Sequence, residues 1–433
     1  MASNHCRAQH YIAQLLKGQS QEVLLQRLAP KNGPALPRIP GTARLSRESL
    51  DQRWSVLPSA SAQREALLDR ETLCRLEDYQ HHIENLIGTL KVPVGVAGPL
   101  RMNGLFAQGD YYLPLATTEA ALVASYNRGT RLISEAERCT AMLLAEGMSR
   151  APGFAFGNLQ EAGLFLVWAL AHVEEFRHAA EATTRYGKLA DMRIAVEGDH
   201  VYLIFEFTTG DAVGQNMVTI ATDAICAYIA HHSPVRPRAC FVEANMSGDK
   251  KASAQSFLTV RGKKVTAEVR IPRGLTARRL HTTPDQMIEY WRMSAIGGVL
   301  SGTMGIHGHY ANGLAALYLA TGQDVACVAE SAVGVTRLER TAEGDLYAAV
   351  TLPNLTVGTV GGGTELPSQR SCLEILGLAG PGKAAALAEV CAGLCLAGEL
   401  SIIGALAAGE FAQAHRRLAR GRHAGPGVEA ARG

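Results

Sequence analysis

The amino-acid sequence predicts an α+β protein in which a small unit is inserted into a larger domain. Hydrophobic residues make up 47% and charged residues 19% of the 433 positions, which is typical of a well-packed chain of about two to three domains. Between Gly153 and Cys240 the pattern changes to helix, strand, strand and helix, which indicates a compact α+β unit. The apolar run Val390–Gly409 contains Glu399 and many small residues, which favours a buried core helix over a membrane span.

Charge and cysteine content exclude several classes of protein. The 42 basic and 40 acidic residues give a net charge of +2, which argues against nucleic-acid binding. The nine cysteines include no CxxC pair and indicate reduced thiols in a cytoplasmic protein. The N-terminal sequence MASNHCRAQHY lacks the apolar segment of a signal peptide. His81 and His82 have no nearby third ligand, so we predict no metal site.

The first hundred residues alternate between helical and extended patterns. Tyr11–Leu28 predicts a helix, and the Pro/Gly-rich segment Ala29–Gly41 predicts a linker, so this region has the pattern of an N-terminal arm. Leu67–Ile87 predicts mixed helix. Val92–Leu100 alternates valine, glycine and proline, which predicts an extended segment with tight turns.

A helix is predicted over Ala116–Ile133. Thr117 or Thr118 can cap it and would place Glu119 in its first turn. The helix dipole there stabilises the carboxylate anion, so Glu119 could donate a proton near neutral pH only if burial raised its pKa. This segment alone favours the capping role over a catalytic one.

The inserted unit begins with a predicted helix over Leu159–His178. Two alternating strands follow in DMRIAVEGDHVYLIFEF, and Glu197–Asp199 between them is a hairpin signal. The sequence GDAVGQNM then leads into a predicted helix over Met217–His231.

The segment Glu243–Ser253, EANMSGDKKAS, is the strongest candidate for chemistry in the chain. It contains Asn245, Asp249, Lys250 and Lys251 between small residues. Adjacent lysines on an extended segment point to opposite sides, so they would face two targets, such as an acidic substrate group and a developing oxyanion. The alternative is a solvated turn, and the short motif taken alone favours that alternative.

Further along the chain, Ser256–Pro272 predicts a second hairpin. Asp285–Leu319 predicts a long helical stretch that contains many glycines. Each glycine costs up to about 1 kcal/mol in a helix, so we expect close backbone packing or a helix broken at several points. Asp324 follows a glycine and, by itself, has the pattern of a solvated loop residue.

The Gly-rich segment Asn354–Gln369 precedes a short predicted helix over Ser371–Leu376. Backbone N–H groups in such a loop can hold phosphates or a flat ring, but the spacing matches neither a P-loop nor a Rossmann fingerprint. The last helical pattern spans Ala384–Arg420 and places His415 near a helix end, where a surface histidine is the simpler interpretation. The tail Gly421–Gly433 has the composition of a disordered segment.

Seven motifs together resemble one known family. They are ENLIGTLKVPVGVAGPL, LATTEAALVASYNRG, GDAVGQN, NMSGDKK, GQD, GTVGGGT and LAGELSIIGALAAGEFAQAH, in that order over about residues 80–420. In sequence and order they closely resemble the catalytic domain of HMG-CoA reductase. The DKK sequence and the histidine after LAGEL are similar to the biosynthetic class I branch, not to the catabolic class II branch.

The resemblance implies an enzyme of the mevalonate pathway of isoprenoid biosynthesis. It would reduce 3-hydroxy-3-methylglutaryl-CoA to mevalonate with two NADPH and release CoA. The implied fold has a large domain around a long central helix, a small inserted ferredoxin-like nucleotide-binding domain and an N-terminal arm. The implied assembly is at least a homodimer with active sites at its interface, in a soluble form without a membrane anchor.

The resemblance also implies five segments. They are an N-terminal helical arm (1–83), the first part of the large domain (84–151), the inserted NADP-binding domain (152–241), the second part of the large domain with the Lys250 loop (242–410), and a C-terminal flap and tail (411–433).

Four residues match the catalytic positions of the family. Lys250 would stabilise the oxyanion that forms at the thioester carbonyl, and Asp324 would hold and tune Lys250. Glu119 would serve in proton transfer. His415 would protonate the leaving CoA thiolate, which is a modest demand because the pKa of a thiol is near 8.5.

Other residues match binding positions. The predicted contacts to the hydroxymethylglutaryl part come from Asn245, Asp249 and Lys251, and the contacts to CoA from Ser125, Asn127 and Arg128. The predicted contacts to the nicotinamide half come from Asp211, Gly214, Gln215, Asn216, Gly361, Gly362 and Gly363. Arg185 matches an arginine that contacts the 2′-phosphate, which favours NADP over NAD, and Arg420 is also placed near the cofactor.

Three positions depart from the family pattern. Ala155 stands where the family has an arginine that grips the substrate carboxylate. Arg292 stands where a substrate-binding lysine is expected, which keeps the charge. Gly421 replaces the serine that is phosphorylated in animal enzymes, so that form of control is not expected.

Two alternatives remain open from the sequence. The same fold could run in the oxidative direction with NAD, against which Arg185 argues. The chain could also be a catalytically weak relative that only binds CoA esters, as Ala155 would allow. The intact set of Glu119, Lys250, Asp324 and His415 opposes the second alternative.

Overall fold

The computed structural model describes residues 5–17, 19–30, 37–41, 44–58 and 61–411. The chain divides into two compact units, one ending at Thr89 and one beginning at Leu90.

The first unit is helical in its described part. Its helices are α1 (His5–Leu15), α2 (Gln21–Leu28), α3 (Arg47–Val56), α4 (Ser61–Leu67) and α5 (Arg70–Cys74), followed by a 3₁₀ turn (Leu76–Tyr79). A small core is formed by Leu50 and Trp54 of α3 with Leu68, Leu76 and Leu86, whereas α1 and α2 bury no residue.

Two predictions for this unit were wrong in extent. The helix expected over Tyr11–Leu28 is two helices, because the backbone at Ser20 is extended and its side chain caps α2 by accepting a hydrogen bond from Val23 N. The segment Leu67–Ile87 contains little helix beyond α5 and the 3₁₀ turn. Asp69 caps α5 in the same way as Ser20 caps α2. At each of these short polar residues a new helix begins.

The second unit is built on a mainly antiparallel sheet, and this mixture of helices and antiparallel strands confirms the α+β prediction. Its strands are β1 (Val94–Gly104), β2 (Gln108–Ala116), β3 (Cys139–Arg150), β4 (Gly153–Ala155), β5 (Lys188–Glu197), β6 (His200–Thr208), β7 (Ala239–Phe241), β8 (Gly262–Ile271), β9 (Val335–Arg340) and β10 (Leu346–Leu355). The strand order is β7-β4-β6-β3-β8-β10-β9, with β5 beside β6 and with β1 beside both β2 and β3. The β1–β3 pairing is parallel.

The helices of this unit cover the sheet and fill its core. They are α6 (Leu122–Glu135), α7 (Leu159–Ala171), α8 (Val173–Glu181), α9 (Gln215–His232), α10 (Gln255–Leu258), α11 (Arg273–Leu280), α12 (Pro284–Ser301), α13 (Tyr310–Thr321), α14 (Val328–Ser331), α15 (Pro367–Leu376) and α16 (Ala384–Ala407).

Helix α16 is the centre of the main core. By length and composition it is, within the described residues, the one helix that could cross a membrane, but 83% of its most apolar window is buried inside the protein. It packs against α6 and against the faces of β8 and β10. The prediction of a buried core helix is therefore confirmed.

A second hydrophobic core lies around β4 to β6 and α7 to α9. It contains Phe154, Phe165, Phe176, Phe205 and Ile225. The predicted hairpin is present, because β5 and β6 pair continuously from Asp191–Glu206 to Glu197–His200, next to their connecting turn. The boundaries 152–241 for an inserted domain stay a prediction.

Three predicted elements differ from the structure. The helix expected over Leu159–His178 is interrupted at His172. The hairpin expected over Ser256–Pro272 is a short helix followed by one strand, β8, whose partners β3 and β10 are distant in sequence. The stretch Asp285–Leu319 breaks once, where Gly302 takes a left-handed conformation (φ 71°), and it resumes at Tyr310.

Candidate active site

The Lys250 loop follows β7 and is a strained turn, not the extended segment that we predicted. Lys250 (φ 54°) and Asn245 (φ 63°) both have left-handed backbones, a conformation that costs free energy for residues other than glycine. Lys251 N donates a hydrogen bond to Gly248 O (3.2 Å). The two lysines nevertheless have different partners, because Lys251 Nζ donates to the backbone O of Asp249 (2.8 Å).

Lys250 forms an ion pair with Asp324. Its Nζ lies 2.7 Å from Asp324 Oδ2, and the two side chains are 39% and 41% exposed. The hydrogen bond to Asp324 raises the pKa of Lys250, so the ammonium stays charged at neutral pH. Asp324 is itself fixed, because its Oδ1 accepts a hydrogen bond from Ala326 N (3.0 Å).

Asp249 is held by two buried arginines. Arg150 Nη1 lies 2.9 Å from Asp249 Oδ2, and Arg261 Nη2 lies 2.6 Å from Asp249 Oδ1. Burial by itself would raise the pKa of Asp249, but the charges of both arginines outweigh it and lower that pKa. Arg261 also binds Glu330, whose side chain is fully buried.

The loop after α13 lies against the Gly-rich loop. The side chain of Gln323 donates to Gly358 O and accepts from Gly358 N, both at 2.9 Å. A Cβ on Gly322 would lie 2.2 Å from Gly363 O, so the two loops touch through backbone alone. The GQD and GGG motifs therefore meet beside the Lys250–Asp324 pair.

The GDAVGQN segment joins the same cluster. Thr359 N donates to Asp211 O (2.9 Å), and Gln215 Nε2 donates to Cys327 Sγ (2.8 Å), just beyond Asp324. The carboxylate of Asp211 accepts hydrogen bonds from Gly382 N (2.7 Å) and Ala384 N (3.2 Å). Asp211 thus caps the start of α16, and its contact with the cofactor stays a prediction.

The start of α9, the Gly-rich loop and Arg185 have a geometry that fits a bound dinucleotide. Helix α9 begins after Gly214 (φ 81°) without a side-chain cap, so its first N–H groups can bind a phosphate. Gly361 and Gly362 have positive φ, and a Cβ at either would meet open space. Arg185 is exposed in the turn before Gly187, where a Cβ would lie 2.7 Å from Met217 at the start of α9.

A cavity of about 370 Å³ lies beside α6, α13 and α16. These helices and the turns before α6 and α13 line it, including Glu119, Ser125, Arg128, His309, Asn312 and Ile402. Asn312 Nδ2 donates to Glu119 Oε2 (2.8 Å). Arg128 Nη2 donates to Ser401 O (2.6 Å), and Ser125 Oγ lies 2.9 Å from Ser401 Oγ.

His309 is a polar group in this cavity that we did not predict. It is 8% exposed and stacks on Tyr126. Burial lowers the pKa of His309 to about 4, so the ring is neutral at physiological pH. Its Nε2 atom is buried without a hydrogen-bond partner among the described residues, so a bound ligand could supply that partner.

Glu119 is not in the first turn of a helix, so that prediction was wrong. Helix α6 begins at Leu122, because Ala121 is left-handed (φ 70°). Glu119 lies before it in a turn, where its N donates to Thr117 Oγ1 (3.0 Å). The side chain lies on the cavity wall, where it accepts the hydrogen bond from Asn312.

Two predicted site residues, Glu119 and Asn127, have partners in this chain other than the residues with which the prediction groups them. Among the described residues the structure records no contact of Glu119 with Lys250 or Asp324. Asn127 Oδ1 accepts from Gly98 N (3.1 Å), and Asn127 lines a separate cavity of about 270 Å³ with Arg131 and Arg279.

The remaining predicted positions are placed as follows. Arg292 is exposed and lies 3.7 Å from Glu289. Ala155 is in β4, opposite His200 and Ala239. Asn216 and Lys251 are exposed. His415, Arg420 and Gly421 lie outside the described residues.

The sequence interpretation missed the half-buried Asn312 and four buried polar residues at or near the site: Arg150, Arg261, His309 and Glu330. Arg261 lies inside the predicted hairpin over Ser256–Pro272 and Asn312 inside the predicted helical stretch Asp285–Leu319, where neither residue gave a local signal. Arg150 and Glu330 lie outside the elements that the sequence predicted.

Comparison with known proteins shows the family of the chain. The profile of the family described as hydroxymethylglutaryl-coenzyme A reductase matches residues 49–420. The chain is similar to the 3-hydroxy-3-methylglutaryl-coenzyme A reductase of Methanothermobacter thermautotrophicus, with 44% identity over 344 residues, 79% of this chain and 86% of the relative. The enzyme of the same name from Pyrococcus horikoshii is 44% identical over 347 residues, 78% of this chain and 84% of the relative.

One solved structure with a similar fold is the class II 3-hydroxy-3-methylglutaryl-CoA reductase of Streptococcus pneumoniae bound to NADPH. Its TM-score is 0.62 at 19% identity, over 84% of this chain and 100% of the other. At that identity the likeness concerns the fold.

Proposed function

Because the chain belongs to the hydroxymethylglutaryl-coenzyme A reductase family, we propose that it reduces 3-hydroxy-3-methylglutaryl-CoA to mevalonate and CoA with two NADPH. The observation that carries this proposal is the Lys250–Asp324 ion pair at 2.7 Å, next to the converging GQD, GGG and GDAVGQN loops. A fixed cation beside a dinucleotide site suits hydride transfer to a carbonyl.

Each bound NADPH would supply one hydride, the first to the thioester carbonyl and, after exchange of NADP+ for a second NADPH, the next to the aldehyde that remains when CoA leaves. In both steps the carbonyl oxygen becomes negative, and the Lys250 ammonium donates a hydrogen bond to it. Asp324 holds that ammonium in place. Glu119 serves in proton transfer to the oxygen, and His415 protonates the CoA thiolate as the carbon–sulfur bond breaks.

The cofactor is held by residues of two segments. The N-terminus of α9, with Gln215 and Asn216, and the open Gly361–Gly363 turn hold the nicotinamide half. Arg185 pairs with the 2′-phosphate, which favours NADPH over NADH. The separate cavity with Ser125, Arg128 and His309 holds the CoA ester.

We further propose that the working enzyme is at least a homodimer. Glu119 does not contact Lys250 within the described residues of one chain, so a second copy would bring them together. Helix α12 supports an assembly, because Met293, Ile296, Val299 and Leu300 are 63–82% exposed and form an apolar face.

The class I assignment, the domain boundaries and a cytoplasmic location belong to the same proposal. The DKK sequence supports class I. The class II structure from Streptococcus pneumoniae is 19% identical, and its likeness to this chain concerns the fold alone. An NAD-dependent oxidative enzyme is the second candidate, and the chemistry of Arg185 opposes it.

The decisive test follows NADPH absorbance with the purified protein and HMG-CoA while the released thiol is counted, with NADH in parallel. Two NADPH oxidised per thiol is the expected result. Faster turnover with NADH would favour the oxidative alternative. Binding of CoA esters without turnover would favour a binding protein, and Ala155 would then mark where substrate contacts were lost.

A further inference from the structure

A buried ion pair lies directly behind the Lys250 loop. Arg261 Nη1 is 2.6 Å from Glu330 Oε1 and 2.7 Å from Glu330 Oε2. Arg261 is 1% exposed and Glu330 is 0% exposed. Neither residue lines the cavity of the proposed CoA site or belongs to the proposed cofactor loops.

Both members of the pair also contact the loop itself. Arg261 Nη2 binds Asp249 Oδ1 at 2.6 Å, and Glu330 Oε1 accepts a hydrogen bond from the backbone N of Lys250 (3.4 Å). The two contacts fall on neighbouring residues of the turn, so the pair determines where the Lys250 backbone lies.

We propose that the Arg261–Glu330 pair is a positioning device that holds the strained Lys250 turn and so aims the ammonium at the reacting carbonyl. This inference rests on the proposed function of Lys250 but assigns a role to two residues that do not touch the substrate.

Backbone strain gives the reason that such a device is needed. A left-handed lysine relaxes unless surrounding contacts hold it. Asp249, which precedes Lys250, is held from one side by Arg150 and from the other by Arg261. Glu330 then holds the N–H of Lys250 itself, and Asp324 holds the far end of its side chain.

Stability alone does not account for the pair. A buried ion pair is often no more stabilising than apolar residues of similar volume. Arg261 Nε is also buried without a hydrogen-bond partner among the described residues, which costs free energy. The pair therefore contributes most through its contacts with Asp249 and Lys250.

The test uses the full-length protein and two variants. Glu330→Gln keeps the shape but removes the charge. Arg261→Lys keeps the charge, but one ammonium cannot hold Asp249 and Glu330 as a guanidinium does. For both we expect kcat to fall about 10- to 100-fold, as a small misplacement of a catalytic group does, with the KM for NADPH unchanged.

A second readout does not depend on activity. The groups that face Lys250 are Asp324, Asp249 and Cys327, and a relaxed turn would weaken the hydrogen bond to Asp324. The pKa of Lys250, measured from the pH dependence of its trace acetylation by mass spectrometry, should therefore be lower in both variants. The basic limb of the kcat–pH profile should shift to lower pH with it.

Glu389→Gln is the matched control. Glu389 is also 0% exposed, but it accepts hydrogen bonds from the N–H groups of Leu105, Phe106 and Ala107 at the β1–β2 turn. This variant should lose thermal stability while kcat and the pKa of Lys250 stay as in the wild type.

The outcomes separate the two proposals. If Glu330→Gln lowers only the melting temperature, as the control variant does, and leaves kcat and the pKa of Lys250 unchanged, the positioning role is wrong. If that variant does not fold, Arg261→Lys decides in the same way. If the wild type itself shows no turnover, the proposed function fails, while the acetylation measurement still decides the positioning role.

Discussion

Lys250 Nζ lies 2.7 Å from Asp324 Oδ2 in an ion pair that is only partly buried. Exposed pairs of this kind contribute about 0–1 kcal/mol to stability, so the strained turn that carries Lys250 is not explained by stability. The exposure leaves the ammonium open to a ligand, which is what a catalytic cation needs.

Removing the ammonium should slow turnover strongly while the fold remains. For Lys250→Ala we expect kcat to fall about 10²- to 10³-fold, because the developing oxyanion loses its main hydrogen-bond donor. The melting temperature should change little, since the pair is surface-accessible. Steady-state kinetics and thermal melts check both points, and a rate near that of the wild type would disprove the mechanism.

Two inactive variants should restore activity when mixed if the site is shared between copies. Glu119→Gln and Lys250→Ala, unfolded and refolded together, would form heterodimers in which one of two sites has both native residues. Random pairing predicts about a quarter of the wild-type rate. A mixture as inactive as its parts would place Glu119 and Lys250 in the same subunit.

Cofactor choice should depend on Arg185. The variant Arg185→Ala should raise the KM for NADPH about 10- to 100-fold, because a charge-assisted hydrogen bond to phosphate is worth about 1.5–3 kcal/mol. The KM for NADH should not change. Arg236→Ala removes another exposed arginine from residues 152–241 and serves as the control. Equal effects on both cofactors in Arg185→Ala would contradict the assignment.

Stability should depend on pH through Glu399. Its carboxyl accepts hydrogen bonds from Gly308 N, His309 N and Thr336 Oγ1, yet burial raises its pKa from 4.5 to about 7. The folded state then holds a proton that the unfolded state releases between those two values. The stabilisation is complete below pH 4.5 and is lost as the pH rises to about 7.

The measurement compares the melting temperature of the wild type with that of Glu399→Gln from pH 4.5 to 8. Over this range the free energy of unfolding of the wild type should fall by about 3 kcal/mol relative to that of the variant. The melting temperature should fall correspondingly. Parallel curves for the two proteins would show that Glu399 does not titrate in that range.

Local patterns account for what could be predicted from the sequence. The β5–β6 hairpin follows from strand alternation around Gly198, and the buried helix α16 follows from a long run of apolar and small residues. The sequence analysis identified the motifs that contain Gln215, Lys250 and Asp324, and the folded chain brings these residues close together.

The prediction failed where a single residue or a distant partner decides the structure. The left-handed Ala121 delays α6 and moves Glu119 out of the first turn, and no propensity rule signals a left-handed alanine. The sequence analysis placed β8 in a local hairpin, whereas its actual partners β3 and β10 are distant in sequence. Long-range pairings of this kind depend on the packing of the whole sheet.

The sequence by itself determined the candidate reacting groups, because DKK, GQD and the Gly-rich loop, taken together and in order, resemble the motifs of one enzyme family. Only the tertiary structure decided how these groups are held. Arg261, Asp249 and Glu330 come from three separate segments, and His309 faces its cavity from a loop between two helices. Burial makes these polar contacts strong and makes their loss costly, and burial is a property of the folded chain.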